Sequence, residues 1–184
     1  MTISPHDARQ LGLSKSGLYR AAKAGRYDRV ARGLYLSADA RAADWDWLEA
    51  ASRRPDATIC LTSALAHYDL TDVIPDSLDV ALPRGARMPA TNSAIRWHRF
   101  HRATFRLGRG EISIPGTAQT IGIYSPERCI ADAFRLRGEL GYELGRDALR
   151  EWLRRGGQSA SLMTIAAQLP RARKPLLDAL RVMA

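Results

Sequence analysis

Gly12-Leu13-Ser14 separates two short helical patterns and leaves space for little more than a turn. Ser4-Pro5-His6-Asp7 reads as a helix start. Ser4 is a capping residue, Pro5 suits the first turn where no N–H is needed, and Asp7 complements the positive end of the dipole. Ala8 and Leu11 share a face of that helix, which runs to about Leu11. Gly12 then supplies a left-handed C′ position, Leu13 can fold back as its apolar partner, and Ser14 caps the next helix at once. Two helices joined so tightly must cross at a steep angle, the geometry of a helix-turn-helix.

The second helix is expected over about 15–24, closing at Gly25. Leu18, Ala21 and Ala22 form its inward stripe. Lys15, Tyr19 and Lys23 lie on the other side with Ser16 and Arg20, and no acid accompanies them. A helix built only for solvation would mix signs to gain i,i+4 pairs, so a polyanion is the simpler partner for this face. The interior Gly17 costs about 1 kcal/mol relative to Ala, and close approach to a phosphate or to the first helix would each account for it. In the following YDRVARGLYL, Tyr27, Val30, Leu34, Tyr35 and Leu36 favour strand, with Arg32-Gly33 at the turn. A helix-turn-helix followed by such a ribbon is a winged helix, whose wing carries Arg29 and Arg32 toward a phosphate backbone or minor groove. A basic helical hairpin serving as a protein adaptor is the competing interpretation.

The stretch from Leu13 through Arg32-Gly33-Leu34-Tyr35 resembles the N-terminal winged helix of AbiEi-type antitoxins, transcriptional repressors of bacterial type IV (abortive-infection) toxin–antitoxin operons. No helix is expected before Ser4, so the usual first helix of a full winged helix is expected to be missing or to be supplied from elsewhere in the fold. "TSALAHYDLTDVIPDSLDVALP", "IRWHRF" and "IYSPERCIADAFR" look like segments of the AbiEi C-terminal region, so the resemblance covers most of the chain. It implies autoregulation at inverted repeats and functional neutralisation of a nucleotidyltransferase-like toxin, typically without a stable complex.

Charge distribution agrees. The 28 Lys and Arg against 19 Asp and Glu leave a net charge of +9, and residues 1–38 hold seven bases and two acids, more than half of that excess. Such local excess suits a polyanionic partner. Because only three of the bases are Lys, an Arg-rich genome is a second source of the bias.

From residue 37 the composition changes, dividing the chain into a winged helix-turn-helix domain over 1–38 and an α+β domain over 41–184 with a mostly helical C-terminus. Helix is expected from Trp45 to about Arg54 and over 58–70, the latter buried through Leu61, Leu65 and Tyr68. Strands are expected over 78–83, 94–101, 111–115 and 120–125. Ser125-Pro126-Glu127 starts a helix to about Arg137, and further helices follow over 142–155, 161–169 and 172–183. The fold class is therefore α+β.

No catalytic constellation emerges, and the chain is expected not to be an enzyme and to need no cofactor or metal. GxxxxGK[ST] is absent, and GRGEISIPG lacks dinucleotide spacing. Ser63 has no GxSxG elbow and is expected to cap or pack. His67, His98 and His101 form no ligand pair on one helix, and His98 and His101 are expected as strand-end polar residues. A restriction-type nuclease could draw carboxylates from Asp76 and Glu111, yet Ser113 stands where its Lys should be. Glu127, Arg128 and Asp132 fit helical or interdomain ion pairs. Cys60 and Cys129 are expected as buried free thiols. Arg96, Arg99, Arg102, Arg106 and Arg109 run without an intervening acid. This run is either a solvated face, or a second DNA-backbone contact with Arg96, Arg99 and Arg102 as the secondary phosphate contacts, or a surface for another partner such as RNA. With no membrane-length apolar run and no signal-peptide pattern, a cytoplasmic location is expected.

Overall fold

The described strands fall into two separate sheets. The computed structural model of the chain describes residues 2–3, 14–31, 34–37, 45–115 and 117–183. The helix expected over 4–11 and the Arg32-Gly33 turn lie outside these residues.

The smaller sheet comprises β1 (Thr2–Ile3), β2 (Tyr27–Ala31) and β3 (Leu34–Ser37), antiparallel in the order β1-β3-β2. Helix α1 (Lys15–Lys23) packs on it. Its N-terminus forms as the sequence requires, with the Gly17 N–H donating to Ser14 Oγ at 3.0 Å. After Ala24 the backbone turns through Gly25 at φ +73°, where a side chain would be strained. Gly17 faces that same cap: a Cβ there would sit 3.2 Å from Ser14 Oγ. The cap therefore gives this glycine a local reason. Leu18 and Tyr35, 0% and 1% exposed, form a small cluster bordered by Ala22 and Tyr27.

The larger sheet contains β4 (Thr58–Ile59), β5 (Leu78–Pro83), β6 (Ile95–Phe100), β7 (Arg109–Ser113) and β8 (Thr120–Tyr124), ordered β6-β5-β4-β8-β7. β5–β6 and β4–β8 are parallel; β4–β5 and β7–β8 are antiparallel. Register partners point to one face, which assigns Asp79, His98, Thr58, Gly122 and Arg109 to one side and Val80, Trp97, Ile59 and Ile123 to the other. Strand β4 corrects the expected helix over 58–70. Cys60 is extended at φ −144°, Leu61 has φ +48°, and only α3 (Leu61–His67) is helical. The β-branched pair Thr58-Ile59 is fully buried between β5 and β8, and completing the centre of a sheet overrides the helical periodicity.

Helix α2 (Trp45–Arg53) touches β2 of the small sheet and β5 and β8 of the large one. The C-terminal helices are α4 (Pro126–Arg135), α5 (Arg137–Leu140), α6 (Tyr142–Arg154), α7 (Ser159–Ala167) and α8 (Arg173–Met183). Ser125 caps α4 through the Arg128 N–H, as its Ser-Pro-Glu start predicts. The expected helix to Arg137 instead breaks at Leu136, and β7 begins two residues earlier than expected, at Arg109. Helix α4 is central, packing against α3, α6, α7 and α8. The fold class is thus α+β, with a five-stranded sheet and a helical C-terminal half.

Candidate nucleic-acid interface

Helix α1 exposes the polar face read from its spacing. Ser16, Arg20 and Lys23 are exposed, and Tyr19 is 48% exposed. Tyr19 is also a packing residue, its ring 5.9 Å from that of Tyr35 in an edge-on arrangement. Burial raises the Tyr35 phenol above its ordinary pKa, and the neighbouring Tyr19 adds to the effect. Arg29 on β2 is the register partner of Tyr35, so it lies on the same side of the ribbon, where it is exposed. Tyr35 thereby brings Tyr19 of the helix and Arg29 of the ribbon onto one surface. Arg32 lies outside the described residues.

Arg20 and Lys23 occupy the last turn of α1, where cations complement the helix dipole by about 0.3–1 kcal/mol. Their charge therefore has a structural use besides any ligand. Lys15 is the first helical residue, and its side chain lies outside the described ones.

The other predicted positions separate. Arg96 and Arg99 stand three residues apart on β6 and so point to opposite faces of the sheet. Arg96 Nη1 is 3.8 Å from Asp79 Oδ1. Arg102 lies in a 3-10 turn (Arg102–Thr104) beyond the strand, its Nε donating to the Arg84 carbonyl at 2.8 Å. These three arginines form no single surface. Arg109 lies across Gly122 and donates to Thr58 Oγ1 at 2.9 Å, a structural use. His98 was expected merely to end a strand. Its Nε2 instead lies 2.8 Å from Oδ1 of Asp79, a carboxylate only 3% exposed. His101 accepts the Ala103 N–H at the head of the 3-10 turn. Ser63 accepts the Asp79 N–H at 2.8 Å, the packing role its surroundings suggested.

Asp76 is exposed before β5, and Glu111 is on β7, three strand positions away, which is about 14 Å at the usual spacing. Glu111 pairs with Arg109 at 3.2 Å. Among the described residues no three His, Cys, Asp or Glu side chains gather as a metal site, and no helix is long and apolar enough to cross a membrane.

The structure therefore defines an α+β protein whose N-terminal helix and ribbon present a basic face. Residues 2–38, which make that face, match the family model of the transcriptional regulator, AbiEi antitoxin. The resemblance is borne out over those residues and places this segment with antitoxin-type transcriptional regulators. No curated protein matches the chain. Among solved structures it is similar to the RV2827C protein from Mycobacterium tuberculosis, at 13% identity and a TM-score of 0.50, covering 100% of this chain and 89% of that one. At that identity the likeness is one of fold alone.

Proposed function

We propose that the chain is a sequence-specific DNA-binding repressor and the antitoxin of a type IV toxin–antitoxin operon, acting in the cytoplasm and carrying no enzymatic activity. The observation that carries this reading is the coincidence of the family match over residues 2–38 with an exposed, acid-free face on α1. In it, residues 1–38 are a winged helix-turn-helix domain and 41–184 the antitoxin domain. Helix α1 enters a major groove, with Lys15, Ser16, Tyr19, Arg20 and Lys23 divided between base edges and phosphates, while Arg29 and Arg32 position the wing. Arg20 is assigned to base reading, since a bidentate arginine–guanine pair gives about 1–3 kcal/mol of discrimination. The family implies repression at inverted repeats in its own promoter and neutralisation of a nucleotidyltransferase-like toxin without stable association.

The test is a mobility-shift titration on the chain's own upstream DNA beside unrelated DNA of equal length. At about 150 mM salt, preference of a hundredfold or more supports a specific repressor, for which about 10³-fold or above is usual. Arg20→Ala should flatten that preference. Arg32→Ala should weaken binding to every sequence and lower the salt slope by about one. Equal binding of operator by both variants and the native chain would reject these assignments. No affinity for DNA at that salt would leave the basic adaptor for an acidic protein as the better reading.

A further inference from the structure

A cleft of about 600 Å³ opens where β5 and β6 end, bounded by Arg54, Arg87, Arg102 and Arg106 and, among the described residues, by a single carboxylate, Asp56. The four arginines come from three separate segments: the end of α2, the loop after β5, and the crossover from β6 to β7. Their convergence is therefore a product of the fold. Two features set the site in place. Arg102 is held by its bond to the Arg84 carbonyl, and its guanidinium crosses Gly85, whose φ of +90° and missing side chain leave room for it. Arg54 is half-buried, which limits the positions its guanidinium can take at the wall of the cleft.

Among the described residues the wall contains no exposed aromatic ring on which a base could stack; Phe105 is only 5% exposed. Four guanidinium groups without an aromatic platform suit phosphate oxygens. We propose that it binds closely spaced phosphoryl groups, supplied by a nucleic-acid backbone or by a free polyphosphate, through Arg54, Arg87, Arg102 and Arg106. The site is remote in sequence from α1 and does not depend on the DNA-reading assignment made for that helix.

The experiment uses the full chain with inorganic tripolyphosphate and, separately, a duplex of unrelated sequence. Arg87 and Arg106 are exposed, so Arg87→Gln/Arg106→Gln should melt like the native chain without ligand. Tripolyphosphate should raise the melting temperature of the native chain and of Arg20→Ala/Lys23→Ala, but not of Arg87→Gln/Arg106→Gln. Asp56→Asn should tighten tripolyphosphate binding about two- to fivefold, the range of an exposed charge contact, a gain that loss of folding cannot imitate. If nucleic acid is the source, Arg87→Gln/Arg106→Gln should also lower the salt slope for unrelated duplex by about two. An unchanged slope with lost tripolyphosphate binding assigns the site to free polyphosphate. Indistinguishable behaviour of Arg87→Gln/Arg106→Gln and the native chain toward both ligands would overturn the proposal, whatever Arg20→Ala/Lys23→Ala does.

Discussion

Among the described residues Arg128 is the largest fully buried side chain, and its surroundings supply partners for two of its three guanidinium nitrogens. Its Nε donates to Asp132 Oδ2 at 2.8 Å, and Nη1 donates to the Thr104 and Leu107 carbonyls at 2.6 and 2.8 Å. The group also lies 4.4 Å from the centre of the Tyr124 ring. Arg128 thus fastens the crossover between β6 and β7 to α4. Asp132→Ala would leave this charge buried with carbonyls alone, and unfolding in urea should show a loss of about 3–5 kcal/mol. Asp132 also binds Arg135 at 2.8 Å, so Arg135→Ala should cost much less, because the buried pair survives it. The spacing of Arg128 and Asp132 announced an ion pair, but nothing local announced the two carbonyls more than twenty residues away. Cys60 and Cys129 are each fully buried, and burial foremost, with nearby acids adding, pushes both thiols well above their ordinary pKa. A thiol reagent should therefore label neither in the native protein, and labelling should appear only as denaturant unfolds it.

At the scale of elements, α1 is fastened to its ribbon by few apolar groups. Leu18→Ala should remove about 2–5 kcal/mol of local stability, read as faster amide exchange in α1 with α4 unchanged. The boundaries of α1 were legible because Ser14 and Gly25 act within their own turns. So were β5 and β6, where apolar runs and alternation are strong. β4 was not, since Thr58 and Ile59 are strand only because β5 and β8 flank them. The arginine cleft was half legible. The acid-free run through Arg102 and Arg106 was visible, whereas the arrival of Arg54 depends on how α2 crosses the sheet. The exposed face of α1 followed from periodicity, but the commitment of Tyr19 to Tyr35 did not.

On the scale of the molecule, α2 joins regions far apart in sequence. Glu49, buried on this helix, accepts the N–H groups of Asn92 and Ser93 at 2.9 and 2.8 Å and pairs with Arg53 at 3.3 Å. Burial by itself would raise its pKa, but these donors outweigh it and hold the carboxyl below its usual value. A depressed carboxyl stabilises the fold above its unfolded pKa and loses that contribution as pH falls through the folded one. Glu49→Gln should consequently be less stable than the native chain at neutral pH. Denaturation midpoints should show that gap closing below the ordinary glutamate range.

The same helix has a consequence for scale itself. Nine helical residues span about 14 Å, and α2 rests on the ribbon beside α1 and on the sheet whose end carries the arginine cleft. A short helix that touches both regions ties the spacing of these two cationic stations to its own packing. Were both stations to rest on one duplex, α2 would act as a ruler. Strand-cleavage footprints would then show two protected patches at an interval that stays fixed when the operator sequence is changed.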